Sequence, residues 1–136
     1  MRSLKAFFWF TDLGFILYWS ATALHLIPLE YAFNDYQDPI LVAWNWSFFP
    51  LDMLISLSGL SSLYLHARGH SSWRSLAVVS LTLTLVAGLN ALSFWTLRGD
   101  FSLEWWLPNL YLTIYPLFYL RGLIGVVPWS SSKHKA

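Results

Sequence analysis

The sequence has no cysteine, which excludes disulfide bonds, thiolate metal sites and thiol redox chemistry together. Charged residues are also scarce, at 11% of the 136 residues, whereas a soluble domain carries about 25%. There is no basic stripe, so we expect no nucleic-acid partner. The catalytic patterns HExxH, GxSxG and GxxxxGKS are missing as well, and no metal site or resident cofactor is expected. What is present is 57% hydrophobic and 19% aromatic, a composition typical of one compact membrane domain.

Four hydrophobic segments follow one another along the chain, each near the ~20 residues that a helix needs to cross the hydrocarbon core. They cover about residues 6–27, 39–65, 75–97 and 103–127, and a polar tail follows at 128–136. The connections are short, so successive helices should lie antiparallel and adjacent. The sequence therefore predicts an all-α membrane protein, with a single domain that forms an antiparallel up-down bundle of four transmembrane helices.

The first segment also has features of a signal peptide. Arg2 and Lys5 precede an apolar run, and small residues at 21–23 are similar to a cleavage site. However, Asp12 interrupts the run, which is crowded with aromatic residues and continues to Ile27. We interpret this segment as a retained first span.

The distribution of Lys and Arg predicts the orientation of the bundle. One side carries Arg2, Lys5, Arg68, Arg74, Lys133 and Lys135. The opposite side carries Glu30, Asp35, Asp38, Asp100 and Glu104, with Arg98 as its only basic residue. We therefore expect a multi-pass membrane protein with both termini in the cytoplasm.

Two acidic residues fall inside predicted spans, where a carboxylate costs about 2.5 kcal/mol or more unless it is paired, protonated or turned to a polar interior. Counted at about 1.5 Å of rise per residue, Asp52 and Asn90 lie at nearly the same depth near the midplane, so a hydrogen bond between them is expected. Asp12 and Arg121 both lie nearer the cytoplasm, on spans that a closed bundle brings together. They are predicted to form an ion pair, and a snorkelling arginine at the interface is the alternative for Arg121.

Polar residues on one face of the second span indicate where a ligand would bind. Asn45, Asp52, Ser56 and Gly59 recur at intervals of seven, four and three residues, so they share a helical face that should turn inward. Small residues on this face and at Ser80, Thr84 and Gly88 of the third span are what close packing in lipid requires. Together with Asn109 near the outer side, the predicted ligand-binding residues are Asn45, Asp52, Asn90 and Asn109.

His25 is predicted to be the only histidine deep in a span. It could be a hydrogen-bonded interfacial residue, an acid/base group in an outward-opening pocket, or an axial ligand to haem or chlorophyll. A bis-histidine haem is not expected, because His66 lies at the opposite membrane face. The candidate catalytic residues are thus Asp12, His25 and Asp52.

Two stretches carry a resemblance to a known family. FFWFTDLGFILYW at residues 7–19 and DPILVAWNWSFFPLDMLISLSGL at residues 38–60 resemble the small bacterial membrane-protein family typified by YvaD. The resemblance implies a bacterial inner-membrane protein of about this length with four predicted spans. The family has no established activity, so no residue acquires a role from it.

Three functions remain open from the sequence. The first, which we favour, is a binding or accessory module that holds an apolar small molecule or docks on a larger membrane complex. The second is a membrane-embedded enzyme acting on a lipid or isoprenoid, with Asp12, His25 and Asp52 as acid/base groups. The third is a small proton-coupled transporter that works as an oligomer through Asp52.

Overall fold

The computed structural model describes residues 1–33 and 35–125. Within these ranges every regular element is a helix, which confirms the all-α prediction for the described part of the chain. The helices are α1 (Arg2–Ala23), α2 (Leu29–Ala32), α3 (Pro39–Trp46), α4 (Phe48–Ala67), α5 (Trp73–Arg98) and α6 (Leu103–Ile124). The predicted tail at 128–136 lies outside the described residues.

Local sequence explains where several helices begin and end. Asp38 caps α3, since its Oδ1 accepts hydrogen bonds from the backbone N–H groups of Ile40 (2.9 Å) and Leu41 (3.4 Å). Pro39 follows at the first helical position, where a missing N–H costs nothing. The helix α5 ends before Gly99, which adopts a left-handed conformation with φ of 71°.

The predicted second span is two helices, which meet at Ser47. Pro50 lies in the first turn of α4 and has no N–H to donate to the carbonyl of Trp46, so the helical hydrogen-bond ladder is interrupted just upstream. At the junction, the Ser47 hydroxyl donates to the carbonyl of Trp44. The break therefore precedes the proline that causes it. By contrast, α6 continues through both Pro108 and Pro116.

The four long helices α1, α4, α5 and α6 pack in chain order. One end of the assembly is filled by an apolar cluster of Leu4, Phe8, Leu63, Ala77, Leu81, Tyr115 and Leu120. This cluster joins the start of α1 to the end of α4, and the start of α5 to the end of α6, so neighbouring helices run antiparallel. Aromatic rings link α1 to α6 at the same end, where the ring centroids of Phe7 and Tyr115 are 4.9 Å apart.

Close contacts between the helices rely on small residues. A Cβ atom on Gly59 of α4 would overlap Oδ2 of Asp12 and lie 3.0 Å from Oγ of Ser80. On α5, a Cβ atom at Gly88 would lie 2.7 Å from the backbone carbonyl oxygen of Asn109 in α6. Ser80, Thr84 and Gly88 are all buried, as the sequence predicts for a packing face.

Two stretches of the described chain are long and apolar enough to cross a membrane by length and composition, Pro39–Ala67 and Trp73–Arg98. The other two long helices do not meet the same criterion. In α1, Arg2 and Lys5 precede the apolar run and Asp12 interrupts it, and α6 is rich in tyrosine, tryptophan and proline. Four membrane spans therefore stay a prediction.

Candidate functional site

At the end of the assembly opposite the apolar cluster, the helices line a half-open cavity of about 300 Å³. Five helices contribute to its wall, namely α1, α3, α4, α5 and α6. Nearly half of the lining residues are aromatic: Phe15, Tyr18, Trp19, Trp44, Phe48, Trp95 and Trp105. We call this space the aromatic cavity.

The cavity exists because large and small side chains are unevenly distributed. Ala87 and Ala91 form its α5 wall and leave room that longer side chains would fill. Trp44 of α3 stacks on Phe94 of α5 with 3.9 Å between ring centroids and meets Trp95 edge-on at 5.6 Å. These fixed ring contacts hold α3 against α5 and keep the space open.

Asp52 is the acidic group of the cavity, and it is 5% exposed. The indole Nε1 of Trp19 donates a hydrogen bond of 2.8 Å to its Oδ2. A buried tryptophan N–H needs such a partner, so each side chain fixes the orientation of the other. Within the described part of the chain Oδ1 of Asp52 accepts no hydrogen bond.

Two carboxamides accompany Asp52 at the cavity wall, as the sequence predicts for Asn45 and Asn109. The Nδ2 atom of Asn109 donates to the carbonyl of Trp105 at 2.7 Å. The Nδ2 atom of Asn45 is buried and has no hydrogen-bond partner among the described residues. Three of the four predicted ligand-binding residues therefore share one cavity, although their role in binding stays a prediction.

Asn90, the fourth, is exposed and is not part of the cavity wall. The predicted hydrogen bond between Asp52 and Asn90 is wrong, since Asp52 accepts from Trp19. A similar depth does not by itself bring two side chains together, because each residue also turns the helix by about 100°. Ala91 faces the cavity, and that turn carries Asn90 to the outer face of α5.

The ion pair predicted between Asp12 and Arg121 is also wrong. Asp12 is completely buried, and its two carboxyl oxygens have no hydrogen-bond partner among the described residues. Its side chain faces Gly59 of α4 and Ser80 of α5, whereas Arg121 is exposed in the last turn of α6. Asp12 does not line the aromatic cavity.

His25 is exposed and lies beyond the end of α1, so the prediction that it is deep in a span is wrong. It has a φ of 53°, and its backbone N–H donates to Thr22 while that of Leu26 donates to Ala21. This hydrogen-bond pattern is a Schellman motif, which terminates the helix earlier than hydrophobicity predicts. Of the three candidate catalytic residues, only Asp52 reaches the cavity.

The connection between α1 and α3 contains Glu30, Asp35 and Asp38, and we call it the acidic loop. It lies beside the cavity end of the assembly. The Tyr18 hydroxyl donates to the carbonyl of Ala32 at 2.6 Å and attaches α2 to α1. Arg98 of α5 forms an exposed ion pair of 3.2 Å with Asp35 of the loop. Because both partners are in contact with solvent, this pair contributes little to stability.

The tryptophans of the cavity are the functional candidates that sequence reasoning missed. Tryptophans near the ends of transmembrane segments are typical of the membrane interface, so the sequence alone gives Trp44, Trp95 and Trp105 no role in binding. The spacing of Trp44, Phe48 and Asp52 at four-residue intervals was the available signal, since it places aromatic rings and a carboxylate on one helical side.

These features define a class: an all-helical protein in which four long antiparallel helices, together with the short α3, line a small cavity rich in aromatic residues at one end. The chain belongs to a family of unknown function, DUF5360, which matches residues 4–128. It is also 54% identical over 124 residues to the uncharacterised protein YvaD of Bacillus subtilis (strain 168), covering 91% of this chain and 93% of that protein. The resemblance to the YvaD family is thus confirmed. No solved structure matches the chain.

Proposed function

We propose that the chain is a multi-pass integral membrane protein that binds one small, mainly apolar molecule in the aromatic cavity. The observation that carries this proposal is the cavity itself. Its volume of about 300 Å³ and its aromatic walls with a few converging polar groups are the usual properties of a small-molecule site.

The outer surface supports placement in a membrane. All four long helices expose large apolar side chains, among them Phe10 on α1 (72% exposed), Leu57 on α4 (66%), Leu97 on α5 (90%) and Phe118 on α6 (76%). A soluble monomer rarely exposes apolar surface on this scale. Burial of these side chains in lipid tails removes them from water, and this applies to α1 and α6 as much as to α4 and α5.

The charges support an orientation within a bacterial inner membrane. Inside the four long helices, away from their ends, the only acidic residues are Asp12 and Asp52, and both are buried. Arg2, Lys5, Arg68 and Arg74 lie at the end of the assembly where α1 begins, which supports a cytoplasmic position for both termini. The cavity then lies toward the outer side, next to the acidic loop.

The proposal can be tested by purifying the protein in mild detergent and identifying by native mass spectrometry everything that accompanies it. We expect a small molecule at one per chain. Ala91→Trp should abolish its retention, because the indole would occupy the cavity. Leu97→Trp is the matched control, since it places the same side chain on an exposed position of the same helix.

Retention of the same molecule by Ala91→Trp at the wild-type level would contradict the proposal. The unfolding temperature of each variant shows whether it is folded. If a stoichiometric membrane protein accompanies the chain in place of a small molecule, the chain is an accessory subunit of a complex.

A further inference from the structure

We propose that the aromatic cavity selects an organic cation, meaning a small amine or quaternary ammonium compound with an apolar body. This inference rests on the proposed function, and it adds the charge and chemical class of the bound molecule. It is carried by the position of Asp52 among tryptophan rings, in a wall to which the described residues contribute no basic side chain.

The aromatic rings provide the first part of the argument. The face of an indole or phenol ring is electronegative, so it attracts a cation that lies within about 6 Å of the ring centre. Four tryptophans and one tyrosine line the cavity, and tryptophan is the strongest of these partners. Trp44 is held by Phe94 and Trp95 at 3.9 and 5.6 Å, so its ring is oriented before any ligand binds.

The carboxylate provides the second part. Trp19 occupies Oδ2 of Asp52, while Oδ1 has no hydrogen-bond donor within the described part of the chain. No Lys, Arg or His belongs to the described lining of the cavity, so no cation of the protein balances this group. An unbalanced carboxylate in apolar surroundings is costly, and a bound cation would offset that cost.

Size and the remaining polar group restrict the ligand further. A cavity of about 300 Å³ holds roughly the volume of ten water molecules, which suits a compact amine and excludes a whole phospholipid. The buried Nδ2 atom of Asn45 lies near the Tyr18 hydroxyl but forms no hydrogen bond of good geometry with a described residue, so it would donate to an oxygen on the ligand. A cation that also carries a hydroxyl or carbonyl oxygen would therefore provide a partner for both Oδ1 of Asp52 and Nδ2 of Asn45.

The test compares three probes of similar shape in nanodiscs of zwitterionic lipid. They are benzyltrimethylammonium, its uncharged carbon analogue neopentylbenzene, and the anion phenylacetate. Binding is followed by tryptophan fluorescence, and nanodiscs with Ala91→Trp provide the background from partition into lipid. We expect the cation to bind roughly tenfold or more tightly than the neutral probe and phenylacetate not to bind.

Asp52→Asn is the decisive variant. Its side-chain oxygen can still accept the Trp19 N–H, so the fold should persist, and the preference for the cation should disappear while the neutral probe still binds. Glu30→Gln is the control, because it removes one negative charge from an exposed position outside the cavity wall. It should leave the preference intact.

The outcomes separate this inference from the proposed function. The cation and the neutral probe could bind equally, with binding lost in Ala91→Trp and unaffected by Asp52→Asn. That result would overturn the inference that the cavity selects a cation, and it would support the cavity as a binding site. Binding of both probes that is unchanged by Ala91→Trp would overturn the proposed function and the inference with it.

Discussion

Trp19 contributes to both the stability of the assembly and the shape of the cavity. It is 2% exposed, donates to Asp52, and packs edge-on against Phe49 with 5.5 Å between ring centroids. A single side chain thus connects α1 to α4 through a polar and an apolar contact.

Trp19→Phe should therefore destabilise the protein. The substitution removes the hydrogen bond and leaves Oδ2 of Asp52 without a donor, a loss of about 1–3 kcal/mol. The measurement is the thermal unfolding midpoint in detergent. Trp9→Phe on the same helix is the matched control, because Trp9 is 52% exposed and should give a midpoint near the wild type. Equal midpoints for the two variants would show that the Trp19–Asp52 contact does not stabilise the fold.

At the residue scale, the sequence predicts partners less well than faces. Asn45, Asp52 and Asn109 reach the cavity because helical periodicity and the distance from the helix ends are readable from spacing. The predicted partners of Asp52 and Asp12 are wrong, because the partner of a side chain depends on how neighbouring helices are rotated about their axes. That rotation follows from the packing of many side chains together, which no local spacing records.

At the scale of single elements, the structure differs from the sequence prediction mainly in where the helices end. The four predicted segments each contain a long helix, but α1 ends at Ala23 where 6–27 was predicted, and the second segment is divided at Ser47. Hydropathy predicts neither feature. The end of α1 depends on the left-handed conformation of His25, and the division of the second segment depends on the missing N–H of Pro50. Apolar composition continues across both.

The end of α1 leads to a prediction for His25. A residue other than glycine pays about 1–2 kcal/mol in the left-handed conformation, so His25→Gly should raise the unfolding midpoint. The imidazole is exposed, and its removal should cost little. Gly69→Ala is the reciprocal variant: Gly69 has a φ of 68° and open space around it, so the midpoint should fall by a similar amount.

A decrease in stability for His25→Gly would show that the imidazole has a partner that the described residues do not provide. An acid/base or haem-binding role for His25 would then regain support. An increase would assign this residue to helix termination.

At the scale of the whole molecule, the number of membrane crossings can be measured directly. The chain has no native cysteine, so single cysteines can be introduced without background. Ser3→Cys, Gln37→Cys and Ser71→Cys are suitable because all three positions are exposed. In intact spheroplasts, a membrane-impermeant maleimide should label position 37 but neither 3 nor 71.

Position 3 decides between topologies. With four crossings it lies on the same side as position 71. If only the stretches Pro39–Ala67 and Trp73–Arg98 cross the membrane, α1 remains on the side of the loop, and position 3 is labelled together with position 37. That labelling pattern would contradict the proposed four-span topology.

The order of packing was predictable from the sequence, because short connections bring consecutive helices together. The cavity was not. It arises where Ala87 and Ala91 face bulky rings from four other helices, and a space between elements depends on side chains distant in sequence. The aromatic residues that make it possible look the same in the sequence as those that would sit at a lipid interface.

The contact between Asp12 and Gly59 also restricts the order in which mutations can accumulate during evolution. A methyl group at position 59 would overlap Oδ2 of Asp12 and lie 2.8 Å from its Cγ. An ancestor that acquired a side chain at position 59 first would pass through a destabilised intermediate, whereas one that first acquired a smaller residue at position 12 would not. Because residues in contact do not vary independently in their effects, positions 12 and 59 should change together between lineages, with position 12 changing first.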